Sequence, residues 1–237
     1  MFSYRSSHGP VDLAFTDRLG GVSVAPYDSL NLAVAGDDTI EAKAENHRRV
    51  LTEFAGDTRY ADLYQVHGDA VVEAHPGARP HADGIVTTER DLTLLVRTAD
   101  CVPVLLADAE AGVIGAAHAG RRGMAAGVVP ATLARMRELG ATRITAWVGP
   151  SVCGACYEVP EQMQAEIAEI EPATKATTSW GTPSLDVAAG VLAQLAREEV
   201  EVVDASRCTR ESDDLYSFRR DGAGMSLGAL IRLRSAR

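Results

Sequence analysis

The sequence predicts an α/β protein of the α+β kind, with mixed β-sheets carrying helices on their outer faces. Three observations predict it. Short apolar runs rich in β-branched residues crowd the first half of the chain, ahead of most helical segments. Hairpin-length gaps separate several of these runs. The helices do not alternate one for one with strands, which argues against a regular βαβ series.

In chain order, Gly20-Gly21, Pro26-Tyr27-Asp28-Ser29 and Gly36-Asp37-Asp38 punctuate the N-terminal region with turns. Asp37 or Asp38 then caps a helix over residues 39–54, with Ile40, Ala44, Val50, Leu51 and Phe54 on one stripe. Strands are expected at 63–66, 70–73, 84–87, 92–97, 102–107 and 113–117. A helix follows over 123–139, with Pro130 as a kink or delayed start. Residues 144–148 read as a strand. Pro160 opens a helix that continues through 169, and Asp186 caps another that reaches 198. Residues 200–203 and 229–233 supply closing strands. No repeat or low-complexity linker interrupts this order, and no glycine-rich dinucleotide or P-loop motif appears.

The net charge of −10 sets up a field that repels polyanions, which argues against nucleic acid and anionic membrane as partners. A small phosphate is still admissible, because a few Arg residues reverse the potential inside a cleft. Four cysteines in 237 residues are too sparse for a disulfide framework. The opening MFSYRSSHGP lacks the apolar core of a signal peptide, and no uncharged apolar run approaches the ~20 residues of a membrane span. The expectation is a cytoplasmic, reduced protein with Cys101 available as a thiolate.

Three side chains carry the chemistry. His67, Cys101 and His118 each end an apolar run inside a short motif: Gln65-Val66-His67-Gly68, Thr98-Ala99-Asp100-Cys101 and Ala117-His118-Ala119-Gly120. Two imidazoles and one thiolate make a three-ligand metal site with an open fourth position, the pattern of catalytic zinc. Taken singly, each is more ordinary as a core or surface residue; small neighbours at all three leave room for a ligand. Asp100 can orient an imidazole or accept a proton, or simply close a strand-end turn. Arg48, Arg49, Arg97, Arg121 and Arg122 are candidate anion contacts, the last pair at the start of the expected helix, where backbone amides also face outward. Asn31 can bond a base or sugar, or serve a turn. Cys153-Gly154-Ala155-Cys156 is a C-x-x-C without the second pair that a structural zinc wants.

Longer stretches carry a resemblance. Phe15-Thr16-Asp17-Arg18-Leu19-Gly20-Gly21-Val22-Ser23, Tyr27-Asp28-Ser29-Leu30-Asn31-Leu32, Gln65-Val66-His67-Gly68, Ala82-Asp83-Gly84, Thr98-Ala99-Asp100-Cys101-Val102-Pro103-Val104, His118-Ala119-Gly120-Arg121-Arg122-Gly123, and Gly149-Pro150 with Tyr157-Glu158-Val159 occur in that order. Together they resemble the YfiH proteins, also called laccase-domain or multicopper polyphenol oxidase proteins, and for some bacterial members peptidoglycan editing factors.

The resemblance implies one catalytic domain over residues 1–237 with a four-layer α/β/β/α fold. It also implies a zinc ion on His67, Cys101 and His118. The implied reaction is phosphorolysis of adenosine, inosine or guanosine, with methylthioadenosine phosphorolysis and adenosine deamination as related activities. The expected partners are a purine nucleoside and phosphate, whether the chain is a monomer or a homodimer. Copper is the weaker choice, because a laccase needs many more His ligands. One rival is an amidase acting on a peptidoglycan precursor, with Cys101 as nucleophile and His118 as its base. Another is a degenerate member that binds nucleoside without turnover. Three positions depart from the family pattern. Arg121 replaces a usual Trp, His47 follows Asn46 in place of Arg, and Ala223-Gly224-Met225 replaces Thr-Gly-Arg.

Overall fold

The computed structural model describes residues 1–235. Five strands form one sheet, in the order β1 (Phe2–His8), β2 (Val11–Thr16), β13 (Leu227–Leu233), β6 (Thr93–Thr98) and β3 (Tyr60–Asp62). Six form a second: β12 (Glu201–Asp204), β9 (Thr145–Val148), β7 (Val102–Asp108), β8 (Val113–Ala119), β5 (Gly84–Thr87) and β4 (Val71–Glu73). Both are mixed. β3 runs parallel to β6, β4 to β5 and β12 to β9, while the other pairs in these sheets are antiparallel. A small hairpin joins β10 (Lys175–Thr177) to β11 (Pro183–Leu185).

Alternation along the strands makes the layers. Leu13 and Phe15 of β2, Leu94 and Val96 of β6, Leu105 of β7, Ile114 and Ala116 of β8 and Trp147 of β9 interlock as the core between the sheets. Their sequence neighbours point the other way. Ala14, Leu95 and Leu230 meet Val50, Leu51 and Phe54 of helix α1 (Ile40–Ala55). Val104, Leu106, Ala117 and Val148 meet Val129 and Leu133 of α3 (Val128–Glu138) and Val191 and Leu195 of α5 (Val187–Arg197). Helix, sheet, sheet, helix is therefore the layer order. Strands buried on both faces read as continuous apolar runs, and each fully buried Leu contributes about 2 kcal/mol. Among the described residues no helix is long and apolar enough to cross a membrane.

Several local expectations shift. Helix α1 is capped by Thr39, whose side chain accepts from Ala42 N, and not by Asp37 or Asp38. Its buried stripe is Lys43, Asn46, Val50, Leu51 and Phe54, which leaves Ile40 exposed. Asn46 holds that stripe by bonding the backbone at Val22, Ser29 and Asn31. The helix expected over 123–139 is two: α2 (Arg121–Ala126) and α3, parted at Gly127 with φ 93°. Pro130 causes no break, because it sits in the first turn of α3, where its missing N–H costs nothing. Pro160 is the N-cap of α4 (Glu161–Ile170) and not its first residue. Residues 63–66 are a bridge segment following β3. The sequence pattern predicts neither β1 nor the buried β2; β1 is a half-exposed edge strand whose Ser, Arg and His residues show no alternation.

Candidate active site

The site forms where the two sheets part at one end. Ile114 and Ala116 of β8 face the opposite sheet, and His118 continues that parity at the strand end. Cys101 immediately precedes β7, whose register pairs Pro103 with His118 and Val102 with Ala119. Cys101 thus lies across from Gly120. A Cβ on Gly120 would stand 2.9 Å from the Cys101 sulfur and 2.8 Å from His67 Cδ2, so only glycine fits there.

His67 comes from the loop before β4. Its backbone is left-handed, at φ 61°, a strained conformation for a non-glycine residue. Asp83 holds it there. The fully buried Asp83 carboxylate accepts from the amides of Val66, His67 and Gly68 at 3.1, 3.0 and 2.7 Å. It also meets His118 Nδ1 at 2.8 Å, which turns His118 Nε2 toward the cleft. One carboxylate thereby positions both histidines. A ligand atom from each of His67, Cys101 and His118 lies within 4.8 Å of the others. The two rings meet edge to face, 4.8 Å between centroids.

The electrostatics follow from this packing. Burial opposes ionisation of Cys101, but the adjacent His118 and His67 outweigh it and bring the thiol down to about 6. Burial likewise disfavours charge on His118, yet the Cys101 thiolate and Asp83 raise it to about 9. Burial also works against the Asp83 carboxylate. His118 and the amides of Gly68 and His67 overcome it and hold the group below the usual carboxylate range.

Two cavities meet at this cluster, and both are lined by His67, Ala99 and Cys101. The larger, about 440 Å³, is walled by Ala33–Gly36 residues, Tyr64, Gln65, Arg97 and the segment around Gly224. The smaller, about 350 Å³, is walled by Arg121, Val152, Tyr157, Phe218 and Arg219. Arg97 is 5% exposed and paired with Asp62, and its buried Nη1 has no partner among the described residues. The Arg219 guanidinium stacks 4.5 Å over Tyr157 and donates to Glu158 O at 3.0 Å. Arg121 rests against the Met163 sulfur.

The other sequence candidates make different contacts from those expected. Asn31 is fully buried and ties together Asp38, Gly224 O, Ala33 N and Ser226 N, so it shapes a cavity wall from behind. Arg48 and Arg49 pair with Glu45 on the outer surface of α1, and Arg48 borders a separate hollow. Arg122 is exposed and lines neither cavity. Asp100 lines the smaller cavity, but its carboxylate bonds neither imidazole: it accepts from Thr209 Oγ1 at 2.6 Å and Arg219 N at 2.9 Å, the strand-end role. With α2 only six residues long, the anion-binding contribution expected at its start falls to the Arg121 side chain. Asp83 and Arg219 are site residues that the sequence reading does not mark. The motif Ala82-Asp83-Gly84 before a strand was a usable signal for the first; nothing local marks the second.

Comparisons with known proteins agree with this architecture. A family model described as multi-copper polyphenol oxidoreductase laccase matches residues 12–233. A purine nucleoside phosphorylase of Streptomyces coelicolor is 52% identical over 229 residues, covering 93% of this chain and 95% of the relative. One from Corynebacterium glutamicum is 44% identical and covers 90% of each. The crystal structure of a Neisseria meningitidis protein superposes with TM-score 0.87 at 32% identity, over 98% of this chain and 99% of that one. YlmD from Geobacillus stearothermophilus matches with TM-score 0.87 at 28% identity over 99% of each. The chain belongs to this laccase-domain family of YfiH-like proteins.

Proposed function

We propose that the chain is a zinc-dependent purine nucleoside phosphorylase, with residues 1–237 acting as one catalytic domain. The observation that carries this reading is the His67–Cys101–His118 cluster at the junction of two cavities, each furnished with arginine. The names of the curated relatives support it.

The donor set suits zinc: two imidazoles and a thiolate, with His118 oriented by a carboxylate and the Cβ-free Gly120 giving clearance. The family description mentions copper, but this cluster groups only two histidines, and a multi-copper oxidase needs many more. A zinc ion held there supplies a Lewis acid for a phosphate or ribose oxygen.

The residues divide the remaining work. The larger, mostly apolar cavity takes the nucleoside, with Gln65 and Arg97, whose side-chain amide and backbone bond each other, as its polar wall. The smaller cavity takes phosphate between Arg121 and Arg219. That arrangement aims a phosphate oxygen at the anomeric carbon. The C–O bond forms as the glycosidic C–N bond breaks, and the purine leaves with the electron pair and takes up a proton. Buried Leu63 and Val152 give the two cavities apolar walls beside the cluster.

The test is incubation of the zinc-loaded protein with adenosine or inosine, with and without phosphate, and identification of products by mass. Phosphate-dependent release of free base and ribose 1-phosphate is the expected result. Inosine formed from adenosine shows deamination; methylthioadenosine is assayed alongside. No base release in phosphate from any of these substrates would reject phosphorolysis.

One observation favours a second reading. Cys101, His118 and Asp83 are connected as a thiolate–imidazolium–carboxylate relay, the arrangement of a Cys–His amidase. In that reading metal-stripped protein cleaves the amide of a peptidoglycan precursor, and zinc inhibits it. A ligated Cys101 would instead resist alkylation until the metal is removed, and stripping would end turnover.

A further inference from the structure

The fold supplies the partner that the C-x-x-C lacks. Cys153 and Cys156 lie in the turn after β9, where Cys156 N and Tyr157 N both donate to Cys153 O at 2.9 and 3.0 Å. Cys208 and Glu211 lie beyond β12, with the same two-residue spacing. The chain crosses between them as a parallel bridge of Ser151 with Cys208: Ser151 N donates to Arg207 O and Thr209 N to Ser151 O. One donor atom from each of Cys153, Cys156, Cys208 and Glu211 lies within 4.8 Å of the other three. All three thiols are free.

We propose that Cys153, Cys156, Cys208 and Glu211 form a second, structural zinc site, separate from the cleft. Three thiolates and a carboxylate make a closed four-ligand set for a borderline-soft divalent cation. A zinc–sulfur bond of about 2.3 Å puts tetrahedral ligands roughly 3.8 Å apart, close to the spacing of these donor atoms, which lie within 4.8 Å of one another. The Cys153 amide already points at the Cys208 sulfur, 3.5 Å away, and Cys156 Sγ lies 3.4 Å from Glu211 Oε1. Cys156 is buried, Cys153 and Cys208 are half-buried, and Glu211 closes the set from the solvent side. Arg210, the chain neighbour of Glu211, stacks 4.9 Å over Trp180 and brings a cation beside the ligand charge.

The site braces the cleft. Val152 and Tyr157 flank the two cysteines and line the smaller cavity. Val152 N donates to Asp100 O, and Thr209, next to Cys208, donates to the Asp100 carboxylate. A cation at the crossing ties both segments beside Cys101.

The experiment uses the full chain with Cys101→Ala, which removes the only thiolate of the cleft cluster. Loaded anaerobically with Co²⁺, this variant is expected to take up thiolate-bound cobalt and show both sulfur-to-metal charge transfer and the visible bands of a tetrahedral site. Adding Cys156→Ser is expected to cut the charge-transfer intensity by about a third or more. Glu211→Gln keeps every sulfur and covers the case in which the serine variant does not fold; it is expected to weaken zinc binding at least tenfold in chelator competition. Wild-type protein as purified is expected to carry two zinc ions per chain, and its four cysteines to titrate as free thiols after denaturation with chelator. The proposal is overturned if the Cys101→Ala protein takes up no thiolate-bound cobalt, or if only two thiols titrate, which would make the cluster a disulfide.

Discussion

Acidification should destabilise this protein through His47. Neutral His47 donates from Nδ1 to Lys43 O at 2.8 Å and accepts at Nε2 from Arg97 Nη2 at 3.0 Å. A proton on Nε2 would set two donors against each other. Burial first, and then the Arg97 charge, pull the imidazole down to about 4. An unfolded-chain histidine titrates near 6.5. Between those values the unfolded chain binds a proton that the folded chain does not, so stability falls as pH drops through that window. The contribution is fully present above about pH 6.5 and is lost toward pH 4, at most about 3 kcal/mol, of which about 2 kcal/mol is gone by pH 5. His47→Gln keeps an acceptor for Arg97 and cannot be protonated. Urea unfolding of both proteins at about pH 7.5 and pH 5 makes the comparison, and other titrating groups cancel between them. The stability drop should be about 2 kcal/mol smaller in the variant, equivalent to roughly 1 M in the urea midpoint. Equal drops in the two proteins would refute the argument, as would an NMR titration that places His47 near 6.5.

Asp83→Asn should weaken metal binding by about 10–100-fold in chelator competition, because it puts an amide group against the donors that now orient His67 and His118; unchanged affinity would remove Asp83 from the positioning role. Gly120→Ala should cut turnover at least tenfold, since the added methyl collides with His67 and Cys101; circular dichroism would show whether the fold survives. Arg219→Ala and Arg121→Ala should raise KM for phosphate by about tenfold or more while moving the nucleoside KM far less, as expected for a lost charge-assisted contact of about 1.5–3 kcal/mol. Arg97→Lys should do the reverse, and steady-state kinetics with each substrate varied in turn would expose a swapped assignment. Cys101→Ala should abolish turnover in the phosphorolysis assay, and retained activity would exclude the thiolate from the reaction.

Much of the fold was legible in the residues. Runs such as 102–107 and 113–117 are too apolar and too short for anything but doubly buried strands, and they fall within β7 and β8. The triad was legible as well, because small residues beside His67, Cys101 and His118 mark places where the backbone must leave room. Other parts escaped because their cause is not local. β1 owes its existence to backbone pairing with β2, which leaves no hydrophobic signature in Phe2-Ser3-Tyr4-Arg5-Ser6-Ser7-His8. Asn31 and Arg48 had suitable chemistry for ligand contacts, but one is locked inside a loop network and the other faces solvent beside Glu45.

By itself the sequence determined which donor types the protein owns and that Cys101 and His118 stand at strand ends, since periodicity and small-residue punctuation are written into neighbouring positions; His67 lies instead in the loop before β4. Only the tertiary structure decided which donors share a space. It brought Asp83 under two histidines, set Arg219 opposite Arg121, and matched Cys208 and Glu211 to a cysteine pair from a distant segment. The physical reason is that chemistry at a site depends on distances of a few ångströms, and these are fixed by how sheets and loops pack and not by how far apart residues lie along the chain.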